Sequence, residues 1–573
     1  MCGIVGRFGP EVSASAEGGV RQNLERLRHR GPDASTVCVG PGYVLGHGRL
    51  EIIGGAETGR QPIRVPGASF AFNGEIHNYR ELAGELRAAG REVAPDSDTA
   101  VAFAALRHWG PEAVRRFRGF WAFVYVDEVD GEVWCSRDRY GQKPLCYARH
   151  GDTWVVASEA HALGVPLDPD PHAVRAYVAQ AQYPTAPASL YHGVRQVSPG
   201  TIVTLGIRDG ARREWRDYAV GAHVAPVEPY PVAVRGFAER LTTSLSLRLR
   251  SDVPIALLLS AGQDSGTLAA LLADREDIPA VTYANGVGED EAPEVLTWYG
   301  GTREIVVARR PDALRARVEA IHETLDAPML SASALALDSL YAAARHRGCP
   351  VVLSGQGADE VLGGYHYYSA LQRGCAWRAR ARVASLGGWR RLPQALLDRW
   401  TADAVTERLS RAPANPAPGV HPADADAVTA RRLADVSGRQ LQSMLWYEDR
   451  ISMLHSVETR CPFLDVELVE YCLGQPGDYF VHANERKRLL ADAFGAAWPP
   501  PLRRARAKRG LPAGEAAIML AHRSYFDERL RSGCAYLDLP PIQLGAYPRL
   551  GKSPRTARLL WRIAMLGDWL ARH

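Results

Sequence analysis

The second residue of the chain is a cysteine. If Met1 is removed, Cys2 carries a thiol and a free α-amine on one residue. An amine whose ordinary pKa is about 8 can take the thiol proton without a histidine partner. Such a residue is a self-contained nucleophile; left beneath Met1, the same side chain reads as a small buried apolar group. A second patch of chemistry is Ser260-Ala261-Gly262-Gln263-Asp264-Ser265-Gly266. Small residues in such a turn let backbone N–H groups approach phosphate oxygens, and a following helix adds the positive end of its dipole. The turn is not a Walker loop, because no Gly-Lys-Ser/Thr follows it. Gly551-Lys552-Ser553 has no strand before it and its upstream glycine stands one residue out of place, so Lys552 reads as a surface residue.

Different kinds of element must hold the two patches. Residues 1–215 read as short β-rich segments broken by turns, with helical stretches near 20–28 and 79–89, an α+β pattern. A weakly patterned, proline-bearing stretch around 220–232 marks a linker over 216–235. From 236 to 573 the pattern changes to strand and helix in alternation, with strands expected at 254–259, 280–283 and 350–353 and a helix at 267–273. Apolar runs of strand length separated by helices predict a doubly wound parallel sheet, whose ligands bind at the carboxyl ends of the strands. Residues 370–440, rich in Arg and Ala with Pro-Ala-Asn-Pro-Ala-Pro-Gly at 413–419, read as a variable insertion of helices around a mobile loop.

At 573 residues the chain exceeds what one hydrophobic core of about 250–300 residues can hold. Apolar residues at 46% and charged residues at 23% exclude a disordered or fibrous class. The 68 basic residues nearly cancel the 64 acidic ones, so nucleic acid and anionic membranes are not expected partners despite short runs such as Trp377-Arg-Ala-Arg-Ala-Arg. Nine cysteines without a Cys-x-x-Cys pair exclude a disulfide scaffold or a structural zinc. No leader pattern opens the sequence, and the longest apolar run, 253–259, is far short of the roughly 20 residues of a membrane span, so a cytoplasmic protein is expected. Only four of the 68 basic residues are lysines, at 143, 487, 508 and 552.

A set of further motifs follows Cys2: Arg30-Gly-Pro-Asp33, His47-Gly-Arg49, Phe72-Asn73-Gly74-Glu75-Ile-His-Asn78, Ser97-Asp98-Thr and Arg137-Asp-Arg-Tyr-Gly-Gln-Lys143. In this order they resemble the class II glutamine amidotransferase domain, the N-terminal-nucleophile type with an αββα sandwich. The resemblance implies that Cys2 attacks the side-chain amide of glutamine. It makes Asn73 and the Gly74 N–H the oxyanion hole, Arg49 the clamp for the glutamine carboxylate, and Glu75 and Asp98 the holders of its ammonium. A zwitterionic substrate calls for that balance of charge around a nucleophile. The product is ammonia.

The second half also carries motifs. Its Ser260–Ser265 loop is similar to the pyrophosphate loop of ATP pyrophosphatases. Ser354-Gly355-Gln356-Gly-Ala-Asp359-Glu360, Asp449-Arg450 with Glu458-Thr-Arg460, and Arg506-Ala-Lys508 resemble the synthetase half of glutamine-hydrolysing asparagine synthetases. The resemblance implies adenylation of a carboxylate by ATP, release of pyrophosphate, and attack of ammonia on the acyl-adenylate. It makes Ser260, Gly262, Asp264, Ser265 and Gly355 the ATP site, with Asp264 and Asp359 holding Mg²⁺. Lys487 and Lys508 would neutralise phosphate charge in the transition state, and Asp449, Glu458 and Arg460 would brace the site or the domain interface. Gln356, Asp359 and Glu360 are the candidates for the acceptor site.

Position 356 departs from the family, which usually has a carboxylate there. A neutral amide can neither act as a base toward incoming ammonium nor pair with a substrate ammonium group. Gln356 is then either a tolerated isostere or the mark of an acceptor other than aspartate, such as a specialised natural-product carboxylic acid. The expected activity is a glutamine- and ATP-dependent amidotransferase, with glutamine, ATP and a carboxylic acid as partners and a homodimer compatible with the sequence. The alternative is an amide- or lactam-forming synthetase that uses an amine of its own substrate beside a vestigial glutaminase domain.

Overall fold

The computed structural model describes residues 1–55, 58–260, 262–284, 305–309, 313–371, 426–483, 485–504, 514–547 and 550–572. Period-two alternation builds the first half. In the strand Gly119–Asp127, Ala122, Val124 and Val126 point into one buried cluster, while Trp121, Phe123 and Tyr125 point into another. A strand buried on both faces must lie between two layers. The strand belongs to a six-stranded sheet in the order Arg212–Arg216, Thr201–Gly206, Glu132–Arg137, Gly119–Asp127, Ala68–Ile76, Ile63–Val65. Its inner face packs on a second six-stranded sheet, ordered Val194–Gln196, Cys146–His150, Thr153–Ala157, Gly3–Phe8, Tyr43–Arg49, Ala34–Gly40.

Helices cover the outer faces. Leu24 and Val20 of the helix Glu17–Arg26 close on Gly46, where a Cβ would stand 2.6 Å from Leu24 Cδ1. The helices Tyr79–Ala88 and Asp98–Trp109 seal the other sheet with Leu82, Leu86, Val101 and Leu106. The result is the αββα sandwich that the resemblance implies.

In the second half a five-stranded parallel sheet runs in the order Ile305–Arg309, Ala280–Ala284, Ile255–Leu258, Val351–Leu353, Glu458–Arg460. The chain leaves Ile255–Leu258 toward one edge and returns on the other side, so Leu257 pairs with Leu353 across the point where strand order reverses. Ligands in open α/β sheets sit at that point, outside the carboxyl ends. Helices such as Gln263–Leu271, Ser333–His346 and Arg439–Met453 complete the α/β half.

Two differences from the sequence reading have physical reasons. The helix expected at 267–273 begins at Gln263, because Gln263, Asp264, Ser265 and Gly266 form its first turn. The strand Glu458–Arg460 went unseen because Glu-Thr-Arg has no apolar run; it is buried through ion pairing instead. Residues 372–425, most of the expected insertion, and Lys508 lie outside the described residues. Among the described residues no helix is long and apolar enough to cross a membrane.

Candidate functional site

Two polar centres stand out, one in each half. The first surrounds the N-terminus. The strand Gly3–Phe8 delivers Cys2 to the rim of a small recess lined by Met1, Cys2, Arg49, Gly74, Glu75 and Asp98 among others. Burial pushes the Cys2 thiol up, partly offset by the terminal ammonium. The Cys2 backbone N–H donates to Asn73 Oδ1 at 2.9 Å. Asn73 Nδ2, also buried, has no hydrogen-bond partner among the described residues. A buried amide donor with nothing to bind is costly unless something arrives to accept from it. Beside it the backbone is kept open by Gly74, where a Cβ would stand 2.1 Å from the Phe120 carbonyl oxygen.

Charge is arranged around this recess. Arg49 ends the strand Tyr43–Arg49 and donates to the Ile53 carbonyl at 3.3 Å. Gly59 packs against its guanidinium, since a Cβ there would lie 1.9 Å from Nη2. Asp98 opens the helix Asp98–Trp109, which Ser97 caps by accepting from the Ala100 N–H at 3.2 Å. Asp98 itself accepts from the Ile76 and Thr99 N–H groups at 3.1 and 2.7 Å. Burial nevertheless pushes its carboxyl up to about 6. Glu75 is raised well above the carboxylate range by burial and by the neighbouring Glu458 and Asp98. Cys2, Arg49, Asn73, Gly74, Glu75 and Asp98 are thus brought together, and the set can bind a zwitterion beside a thiol and a free amide donor.

The second centre lies at the carboxyl ends of the central parallel strands. Ser260 and Ser265 tie the loop after Ile255–Leu258: Ser265 Oγ accepts from the Ser260 N–H at 3.0 Å, and Ser260 Oγ accepts from the Gly262 N–H at 3.2 Å. The loop after Val351–Leu353 presses on it at Gly355, where a Cβ would be 2.9 Å from Asp264 Cβ. Lys487 Nζ bridges the two, 2.6 Å from Asp264 and 2.7 Å from Asp359. Burial would lower the Lys487 ammonium, but the two carboxylates hold it above its ordinary range. Gly364 packs against this pair, since a Cβ there would lie 2.3 Å from Lys487 Cε. Glu360 turns aside to accept from the Tyr365 hydroxyl. Gln356 sits on the same loop with its N–H donating to Ser354 Oγ at 3.2 Å.

Between the centres runs a buried polar interface. Asp449 takes Arg30 Nη1 at 2.9 Å and Lys143 Nζ at 3.3 Å, both from the first half. Burial opposes its charge, yet these cations hold the carboxyl below its usual range. Arg460 donates to Glu458 at 2.7 Å and approaches Glu75 at 3.7 Å, while Glu458 lies 3.7 Å from the terminal ammonium. Asp449, Glu458 and Arg460 therefore lie on the boundary between the halves.

A glutamine amidotransferase domain model matches residues 1–216, and an asparagine synthase model matches residues 236–571. The chain belongs to the asparagine synthase family. It is 32% identical over 401 residues to a protein named as an asparagine synthetase (glutamine-hydrolyzing) in Mycobacterium tuberculosis, an alignment covering 64% of this chain and 61% of that one. A Bacillus subtilis asparagine synthetase (glutamine-hydrolyzing), numbered 3, is 27% identical over 547 residues, covering 87% and 85% of the two chains. The Gibberella zeae protein named amidase chry2 is 25% identical over 575 residues, covering 85% and 84%.

Within this family member the sequence reading overlooked two features. Gly364 is one; its demand for space shows only once Asp359 and Lys487 converge. Glu448 is the other, a buried carboxyl beside Ser354, and its signal was its place directly before Asp449.

Proposed function

We propose that this family member hydrolyses glutamine at Cys2, after removal of Met1, and uses the ammonia to convert an ATP-activated carboxylic acid into its amide. The observation that carries this reading is the pairing, in one chain, of a thiol recess with an unpartnered amide donor and a serine-lined loop at the sheet's reversal point. Arg49 would hold the substrate carboxylate, Glu75 and Asp98 its ammonium, and Asn73 Nδ2 with the Gly74 N–H the oxyanion.

At the second centre Ser260, Gly262, Ser265 and Gly355 would receive ATP phosphates, with Lys487 and Lys508 opposing their charge. Mg²⁺ is compatible with the residues present: Asp264 and Asp359 converge on one point, and this ion is usually held by one or two carboxylates plus phosphate oxygens. When bound it would neutralise phosphate charge. Lys487 stands between the same carboxylates and would then be free to turn toward the nucleotide.

For the acceptor we favour a carboxylic acid other than aspartate, because Gln356 offers no charge to a substrate ammonium; that relatives bear both synthetase and amidase names is consistent with a varied acceptor. ATP–pyrophosphate exchange over a panel of carboxylic acids tests this. Exchange with aspartate alone would refute the acceptor reading, and no exchange with any acid would refute the adenylation reading.

A further inference from the structure

Gln356 removes a carboxylate from the loop at the second centre, yet a carboxylate stands directly behind that loop. Glu448, on the helix Arg439–Met453, is 6% exposed, and its Oε1 accepts from Ser354 Oγ at 2.6 Å and from the Tyr341 hydroxyl at 3.2 Å. Ser354 is also the group that receives the Gln356 N–H. The second oxygen, Oε2, accepts from the Cys461 thiol at 4.0 Å. Among the described residues, charge acts on Glu448 chiefly from Lys143, in the first half, and from Asp449, its neighbour on the helix. It thus stands where the glutamine half meets the activated-acid loop, with one oxygen anchored and the other lightly engaged.

We propose that Glu448 is the general base of amide formation in this chain, taking over the proton-accepting role that Gln356 cannot perform. This rests on the amide-forming reading given above. Ammonia attacks the acyl carbon, and the new C–N bond forms as the bond from that carbon to the AMP oxygen breaks. The electron pair leaves on AMP, and the one proton the nitrogen must shed passes to the Glu448 carboxylate. Burial raises this carboxyl to about 7, against the hydrogen bonds from Ser354 and Tyr341 and the Lys143 ammonium, so near neutrality it exists in both forms, as a general base should. Glu448 does not restore a charge at position 356 itself, so the reading of the acceptor is unaffected.

The test uses the full chain and the panel acid that gives the most exchange. In Glu448→Gln, amide formation from ammonium chloride falls by about 10²-fold while glutamine hydrolysis and ATP–pyrophosphate exchange stay within about twofold. Adding Gln356→Glu to that variant recovers about tenfold of the loss. In the wild-type chain, amide formed per glutamate released falls as pH drops below about 7. Amide formation within about threefold of wild type, or a loss of exchange as deep as the loss of amide, overturns the proposal and leaves Glu448 a bracing residue. Should Glu448→Gln not fold, a flat wild-type ratio between pH 6 and pH 8, values spanning about one unit either side of the carboxyl, overturns it alone. Wild-type exchange in the same assay separates these results from a failure of the amide-forming reading.

Discussion

The two centres meet their substrates from opposite starting points. Around Cys2 the polar groups are fixed by backbone: Asn73, Gly74 and Glu75 lie on one antiparallel strand, Arg49 ends another, and Asp98 is held by two N–H groups. Buried Asn73 Nδ2 and Glu75 Oε2 are left without hydrogen bonds among the described residues. At the second centre Lys487 lies 2.6 Å from Asp264 and 2.7 Å from Asp359, and each carboxylate stands in the first turn of a helix, Gln263–Leu271 and Ala358–Leu362. A rigid recess with an unspent donor and an unspent acceptor suits a small substrate of fixed shape. A cluster in which one ammonium is shared by two carboxylates suits a ligand that must displace one contact to make another.

This contrast can be broken most sharply at the nucleophile. Cys2→Ala is expected to lower glutamine-dependent amide formation by more than about 10³-fold and to leave ATP–pyrophosphate exchange intact. Equal loss of both would mean that the centres do not act separately. Asn73→Ala removes the waiting donor, and glutaminase kcat should fall about 10²- to 10³-fold. A change confined to KM would assign Asn73 to ground-state binding instead.

Lys487→Arg tests the shared ammonium. A guanidinium fork cannot occupy the compact space against Gly364, so exchange should fall by about 10²-fold while glutamine hydrolysis survives. Retained exchange would show that only positive charge matters there. The smallest expected effect is in pH. Asp98 is ionised above about 6, so the glutamine KM should rise as pH falls through that value, by up to about tenfold per unit. A KM independent of pH down to 5, about one unit below that value, would remove Asp98 from substrate binding.

Much of this was legible in the amino-acid order, and for a physical reason. The recess residues fall in short contiguous motifs because a strand and a helix cap place neighbours in sequence near each other in space. The lysine at 487 stood out against 64 arginines, and it proves to lie between two carboxylates where a small ammonium fits. What stayed hidden depends on distant segments meeting. Glu458–Arg460 looks like a polar loop until Glu75, from the first half, closes over it. Glu448 reads as one more helix charge until Ser354, from a loop 94 residues away, lands on it.

The claim that one chain joins the two chemistries is tested most directly by supplying glutamine labelled with heavy nitrogen in its side-chain amide, together with ATP and the acid selected by exchange. The wild-type chain should place the label in the product amide, and Cys2→Ala should make that amide only from added ammonium. Labelled amide formed at the wild-type rate by Cys2→Ala would contradict it.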